Sequence, residues 1–519
     1  MIVSLHGAFA AGQADRTGTA GRTSTFNATG LPIVDEQVTF SLLVDDAGRA
    51  EDKWIFPILE EQTNVKVDLM IFPHQIALER KSILLSAGDY PDVIGGWILP
   101  ANEVMTLGMV EGVYIPLDGL FEQYAPRIME VLDLPAVRQT MTLPDGHIYS
   151  IPYIVSTPLV SYLPWINTEW LERVNKEVPT TVDEFIDVLR AFRDMDANGS
   201  GRSNDEIPYS VSVLNSHWTN LAGGWFGLPV SDDGFTMDDG ELVFGAAREE
   251  YKQGIIVLNR MFREGLIDPE AFTQDGDMWK AKIQNNLVGV MMAYGPGDFI
   301  PSREDGQQGA YVPLPVLRAN DSVQPQFHRS SYGSFVFNRQ VVVTDRAAQP
   351  EVIVRWWDNL FQLENSVSVA VGPIGKVVER LNGNFRRLPQ SLLTDEERVT
   401  YEWGNLYTQS LPRYMPLDVR VLPVEGEPIP FDDKIAADTL YEAYLNEMVP
   451  RVWSSQEDAE RLSVLTTDIT NYITQKRAEW ITGQADINAE WDAYLARLDA
   501  LGLPELMEIR QRALDTVQR

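Results

Sequence analysis

From Gln37 to Ile71 the chain runs through a β-rich apolar segment (Gln37–Val44), an amphipathic helical pattern (Trp54–Thr63) and an alternating strand (Val65–Ile71). This β-α-β succession narrows the fold more than any other feature. A second helical pattern covers Ile76 to Ala87 and ends at Gly88, and Asp92–Ile94 follows as a short strand. Strands alternating with helices at this spacing argue for an open parallel sheet, whose ligands sit beyond the carboxyl ends of the strands. The loops after Val44 and Ile94 are therefore the expected site in this first unit.

Asp145–Pro152 is a turn leading into an alternating strand. A second unit begins with the β-rich run at Val160–Ile166 and the helix after it, Glu169–Val174. Pro179–Glu184 is a helix start, with a Thr cap and acids in the first turn, followed by the apolar positions Phe185, Ile186, Val188, Leu189 and Phe192. Glu249–Glu264 repeats the helical pattern, Val288–Ala293 and Gly333–Phe337 read as strands, and the final sixty residues are helical. No internal repeat is present.

With 519 residues, 44% of them hydrophobic, the chain can bury a large core in two to four domains. Its formal charge of −33 repels phosphate backbones and anionic membranes, so nucleic acid is not an expected partner. The absence of cysteine excludes disulfides, thiolate nucleophiles, zinc ribbons and iron–sulfur clusters. No apolar run approaches the roughly 18 residues of a membrane span, so a soluble mature chain is expected. The start, Met1–Ala11, reads like the back half of a secretory signal, with Ala8 and Ala10 at the small positions and no Lys or Arg ahead of the apolar stretch. Residues 1–35 are expected to be a signal remnant and a disordered tether, since the Gly, Thr, Ala and Ser of 12–30 carry too little apolar surface to offset ordering.

The sharpest local signal is Asp194–Glu206, a calcium-loop pattern. A hard cation wants six to eight oxygens, and a loop bent at glycine can aim alternate side chains at one point. Counted from Asp194, the alternating set is Asp194, Asp196, Asn198 and Ser200 with Gly199 at the bend, and Asp205 stands where an EF-hand usually has Glu. A register beginning at Asp196 is equally admissible, with Asn198, Ser200, the Arg202 carbonyl, Asp205 and Glu206 completing the shell. The bland alternative is a polar Gly-rich turn closing a helix. A filled shell leaves no open position for catalysis, so the expected Ca²⁺ is structural.

Enzyme motifs are mostly absent: the five histidines show no HxH or HExxH spacing, and there is no GxSxG elbow or GxxxxGK[ST] loop. With 75 acids, any carboxylate pair chosen for glycoside hydrolysis is meaningless without geometry. The aromatics are more suggestive. Thirteen Trp and eighteen Tyr exceed what a core needs, and Trp97, Trp218, Trp225, Tyr294, Tyr332 and Trp403 occupy polar or Gly-rich stretches. A sugar ring stacks its C–H face on an aromatic face while polar groups at the rim hold its hydroxyls; Asn215, Asp298 and Arg329 are candidates for that rim. Trp356 and Trp357 lie in a helical pattern and read as core.

The order of segments resembles the extracellular solute-binding proteins of ABC carbohydrate importers, in the group of LplA-like and alginate-oligosaccharide-binding proteins. The resemblance spans about Val38 to Asp515. It rests on Gly88–Val93, Asp145–Pro152, Trp165–Leu171 with Pro179–Phe185, the loop ending Asp205–Pro208, Gly265–Pro269, and Trp480–Tyr494 with Leu501–Leu503 after it. It implies an α/β, two-lobed periplasmic-binding-protein (Venus-flytrap) fold, with hinge-linked lobes, a helical C-terminus and no enzymatic activity. Lobe one is expected over 36–156 plus about 333–395 and lobe two over 157–332 plus about 396–519, with crossings near 154–158 and 331–337. The implied receptor is an exported periplasmic or extracellular monomer, with no cysteine for a lipid anchor, that captures an oligosaccharide and docks on permease subunits. The calcium ligands carry over onto Asp196, Asn198, Ser200, Arg202, Asp205 and Glu206, although one residue is inserted before Asp205 and Ser200 replaces the commoner Asn. Competing readings are a glycan-degrading hydrolase and a surface glycan-binding protein that does not close.

Overall fold

The computed structural model describes residues 25–46, 48–154, 160, 162–202, 204–212, 218–219, 221–296, 311–327, 336–337, 340–401, 411–416, 419, 421–422, 424, 437, 439–447, 449 and 452–517. The opening β-α-β unit forms as expected. Strand β1 (Val38–Asp45) is followed by helix α1 (Ile55–Thr63) and strand β2 (Val65–Phe72), which pairs parallel to β1 from Val38 opposite Val65 to Asp45 opposite Phe72. Helix α2 (His74–Ala87) returns the chain to β3 (Val93–Gly95), parallel to β1 on its other side. Leu42, Leu43 and Val44 are all fully buried, the uninterrupted apolar run of a strand covered on both faces. Helix α3 (Ala101–Met105) follows, and the chain reaches the short strand β4 (Tyr153–Ile154).

The second lobe contains β5 (Leu163–Asn167), α4 (Val182–Asp194), β6 (Ile207–Ser210), α5 (Glu249–Arg263), β7 (Val288–Ala293) and β8 (Tyr311–Pro313). Thr181 and Glu184 form a reciprocal capping box at the start of α4, as the Thr-x-x-Glu spacing predicts. The sheet order is β8-β5-β7-β6, and only β6 and β7 run parallel. This lobe is thus a mixed sheet.

The chain returns through β9 (Val336–Phe337), which pairs antiparallel with β4, Val336 opposite Ile154 and Phe337 opposite Tyr153. Both expected crossings therefore flank one two-stranded ribbon. Strand β10 (Val341–Val343) then closes the first sheet, antiparallel to β3, for the order β10-β3-β1-β2. Helix α6 (Pro350–Leu360) packs Trp356 and Trp357 against Phe40 with ring centroids 5.5 and 5.7 Å apart, so both are core residues as predicted. A small sheet of β11 (Val378–Leu381), β12 (Asn384–Arg387) and β13 (Val421–Leu422) stands beside it. Helices α7 (Gln456–Thr482), α8 (Ile487–Ala500) and α9 (Leu503–Val517) end the chain.

Two expected boundaries are corrected. The tether proposed for 1–35 ends earlier, because Ile33 and Val34 are fully buried in the first core, Phe26 meets Tyr124 edge-to-face and the Gly30 carbonyl accepts from Arg355. Residues 1–24 lie outside the described residues. Tyr401, Leu411, Met415, Val419 and Val421, expected in lobe two, pack with lobe one: Tyr401 on Trp54, Leu411 in the first core, and Met415, Val419 and Val421 on the small sheet.

Helix α7 joins the two lobes. Trp453, just ahead of it, donates its indole N–H to the Thr140 carbonyl, and with Ala459 it packs on lobe one, whereas Leu465, Ile469, Ile473, Trp480 and Ile481 are buried in lobe two. Beneath it, α5 approaches the segment 221–224 so closely that a Cβ at Gly254 would lie 2.5 Å from the Ala222 carbonyl carbon. Alanine would raise helix propensity by about 1 kcal/mol, but the obstacle is backbone and cannot rotate away. Gly254→Ala is expected to lower stability by about 2 kcal/mol, and an unchanged urea midpoint would show that these elements separate freely.

Candidate functional site

The carboxyl ends of β1, β2 and β3 lie along one edge of the first sheet, and each contributes a polar or aromatic group there. Asp45, the last residue of β1, is 4% exposed. One carboxylate oxygen accepts the Trp97 backbone N–H at 2.8 Å and the other meets His74 Nδ1 at 2.6 Å. His74 opens the helix after β2, and Trp97 stands two residues beyond β3. Trp97 is 37% exposed, while its backbone N–H is fixed by Asp45. The next residue is held as well: Lys81, 2% exposed, donates to the Ile98 carbonyl and to both Glu103 oxygens at 2.7 Å. Tyr114 donates to Glu103 at 2.9 Å, and burial, reinforced by that carboxylate, pushes its phenol far above the usual tyrosine range, so it remains a donor. Two buried charges therefore clamp the Trp97–Ile98 peptide. This edge faces the crossing, because Gly96 N–H bonds the carbonyl of Gln340, which links β9 to β10.

The sequence located these loops but named only Trp97 in them. Asp45, His74, Lys81 and Glu103 were missed; the available signal was the acidic residue ending an apolar strand, a position that points into the loops of a parallel sheet.

On lobe two, Tyr294 immediately follows β7 and meets Tyr162 edge-to-face at 6.3 Å. Trp218 and Trp225 both lie in the buried cluster of lobe two. Trp218 is 3% exposed and packs on Tyr209 and Phe272; Trp225 is 9% exposed within the same cluster and lines a small apolar cavity with Leu221, Phe327 and Tyr441. Asn215, Asp298, Arg329, Tyr332 and Trp403 lie outside the described residues.

The loop after α4 is organised by its own polar groups. Asp194 points away from it, paired with Arg193 at 2.7 and 2.9 Å, and that guanidinium holds its carboxyl below the usual range. The register that starts at Asp196 is the one folded into a loop. Asp196 accepts from Gly201 N–H at 3.0 Å, Asn198 accepts from Ser200 N–H at 2.8 Å, and Asp205 accepts from the Asn198 amide and the Ser200 hydroxyl. The Arg202 backbone N–H donates to that hydroxyl. Gly201, six residues into this register, has φ +74°, which suits glycine at the sharp bend. Both Glu206 carboxylate oxygens are buried with no hydrogen-bond partner among the described residues. Asn286 anchors the loop, donating to the Asn198 carbonyl and accepting from Trp170. Among the described residues, no three His, Cys, Asp or Glu side chains converge into a metal-holding group.

No family model matches the chain. It is 30% identical over 495 residues, 90% of its length, to the fructooligosaccharide ABC transporter substrate-binding protein FusA of Streptococcus pneumoniae, and covers 87% of that protein. Two solved FusA structures, one in complex with kestose and one of an EF-hand mutant in complex with fructo-nystose, match with a TM-score of 0.79 at 28% identity, covering 92% of this chain and 99% of theirs. An HMO-binding solute-binding protein from Bifidobacterium longum infantis shares the fold, with a TM-score of 0.76 at 22% identity over 93% of this chain and 99% of its own.

Removing the Lys81 charge should expose the value of the clamp. Lys81→Met keeps the stem but leaves Glu103 without its cation, and stability is expected to fall by about 3–5 kcal/mol. A urea-unfolding midpoint equal to that of the unaltered chain would show that the Trp97 loop is held by packing alone.

Proposed function

The chain belongs to the substrate-binding proteins of ABC transporters, and on that premise we propose that it captures a short neutral oligosaccharide between its lobes and delivers it, unaltered, to a membrane permease. The observation that carries this reading is Trp97. A partly exposed tryptophan with its backbone N–H fixed by Asp45, at the carboxyl edge of a parallel sheet and beside the interlobe ribbon, is suited to stacking on the C–H face of a sugar ring. Tyr294 at the edge of the second sheet supports the same reading from the other lobe. Ligand touching both lobes shifts the equilibrium toward a closed form by the difference between its affinities for the two forms, and that closed form is what a permease would recognise. A net charge of −33 opposes anionic glycans at long range, and the FusA complexes with kestose and fructo-nystose make fructooligosaccharides the first ligands to try. The receptor is proposed to work outside the cytoplasm as a monomer; among the described residues no helix is long and apolar enough to cross a membrane.

The same reading includes a structural Ca²⁺ at the loop after α4. Asp196, Asn198, Ser200, the Arg202 carbonyl, Asp205 and Glu206 are the residues that would hold it. The support is chemical: a buried carboxylate with no partner is costly unless a cation compensates it, and Glu206 is such a group at the end of an oxygen-rich loop bent at Gly201. Asp194 stands outside this set. Bound calcium would neutralise the loop and tie α4 to β6.

Calorimetry with kestose and nystose is expected to show binding, with compaction in solution scattering and chromatographically unchanged sugar. Trp97→Ala should weaken that binding at least tenfold. No heat with any oligosaccharide in a broad panel, or cleaved product, would overturn the proposal. For the loop, calcium should raise and EDTA lower the melting temperature, and Glu206→Gln should abolish the difference. Identical melts of the unaltered chain under both conditions would remove calcium from the account.

A further inference from the structure

The Asp45–His74 contact has more reach than a tie within lobe one. Asp45 is nearly fully buried and is an acceptor on both oxygens, so the backbone N–H of Trp97 occupies one and the ring nitrogen facing the other must carry the hydrogen. The His74 imidazole is thereby held with Nδ1–H donating to Asp45, and in its neutral form Nε2 is left as an acceptor. The ring is not buried beneath the surface: the His74 side chain is 49% exposed while its partner is 4% exposed. It stands at the end of β2 and shares a single carboxylate with Trp97 at the end of β3. The indole and the imidazole are consequently two parts of one wall, oriented by the same buried group.

Resting on the oligosaccharide reading above, we propose that His74 is a ligand-contacting residue whose Nε2 accepts a hydrogen bond from a sugar hydroxyl on the ring stacked against Trp97, and that Asp45 is the positioning residue that sets the polarity of this contact. An aromatic plate reads the apolar face of a sugar and discriminates poorly among stereoisomers; a fixed acceptor at its margin requires an O–H at one position. Where a site is built to accept from a substrate O–H, a ligand lacking that hydroxyl leaves a buried polar group unmatched and is rejected. His74 would thus supply specificity where Trp97 supplies affinity.

The isosteric change at Asp45 separates orientation from shape. In Asp45→Asn the amide oxygen must remain with the Trp97 N–H, which turns the NH₂ toward His74 Nδ1. The imidazole hydrogen then moves to Nε2, which becomes a donor. The test is a double-mutant cycle on kestose binding by calorimetry, with His74→Ala, Asp45→Asn and the double variant, each checked by circular dichroism and thermal melt. His74→Ala and Asp45→Asn are each expected to weaken binding at least tenfold, and Asp45→Asn is expected to add less than twofold once His74 is Ala. Binding by His74→Ala within twofold of the unaltered chain, or independent multiplication of the two losses, would overturn the inference while leaving the receptor assignment intact. An unaltered chain that binds no oligosaccharide would overturn both. The His74 ring is half exposed, so its alanine variant folds, and the cycle is readable even if Asp45→Asn is destabilised.

Discussion

The arrangement of the first lobe depends on charges buried at the carboxyl edge of its sheet. A parallel sheet ends each strand on the same edge, and the chain must leave that edge through loops whose backbone groups have lost their ladder partners. Here Asp45 takes the Trp97 N–H and Lys81 takes the Ile98 carbonyl, so successive orphaned groups are satisfied by side chains of opposite sign. Burying each charge is costly alone, and each is compensated locally: Asp45 by two N–H donors, Lys81 by both oxygens of Glu103. The loop that carries Trp97 is therefore held by side-chain contacts to two successive residues, although by sequence it is only a Gly-Gly-Trp turn.

Much of this was legible in the sequence because it is local. The β-α-β unit, the capping box at Thr181 and Glu184, the helical C-terminus and the Asp-rich loop all arise from periodicity or spacing within a dozen residues. What was not legible is set by contacts across long stretches of chain. Trp218 and Trp225 lie among glycines and polar residues and read as loop aromatics, but both are members of the buried cluster of lobe two, Trp218 packed on Tyr209 and Phe272. The 25–35 segment looks too polar to order, and only the lobe-one core that receives Ile33 and Val34 reveals otherwise. His74 and Asp45 are 29 residues apart and carry no joint spacing signal; the sheet register that puts Asp45 opposite Phe72 brings them together.

The Asp-rich loop shows how geometry selects between readings that composition leaves equal. Two registers fit the spacing, differing by a two-residue shift. Arg193 pairs with Asp194, whereas Asp196 accepts from the Gly201 N–H and Asp205 from Asn198 and Ser200 within the loop; the sixth-position glycines of both registers, Gly199 and Gly201, have positive φ, so the polar pairing and not the bend separates the two. Asp205 bonds back to Asn198 and Ser200, while both oxygens of the buried Glu206 have no hydrogen-bond partner among the described residues.

Closure and recognition are mechanically linked in this architecture. Helix α7 has one end in the packing that contains Trp453 and Ala459 and the rest in the core of lobe two. The lobe-one cluster it touches also holds Ile98 and Leu99, the residues immediately after Trp97. The interlobe ribbon approaches the same point from the other side, through Gln340 and Gly96. If a sugar stacks on Trp97 as proposed, a rotation of lobe two about β4 and β9 would act on the segment that carries the indole, and the stacked ring would in turn bias that rotation. Because Asp45 and Lys81 hold the groups on either side of Trp97, the same contacts that orient the aromatic face would also couple its occupancy to the second lobe.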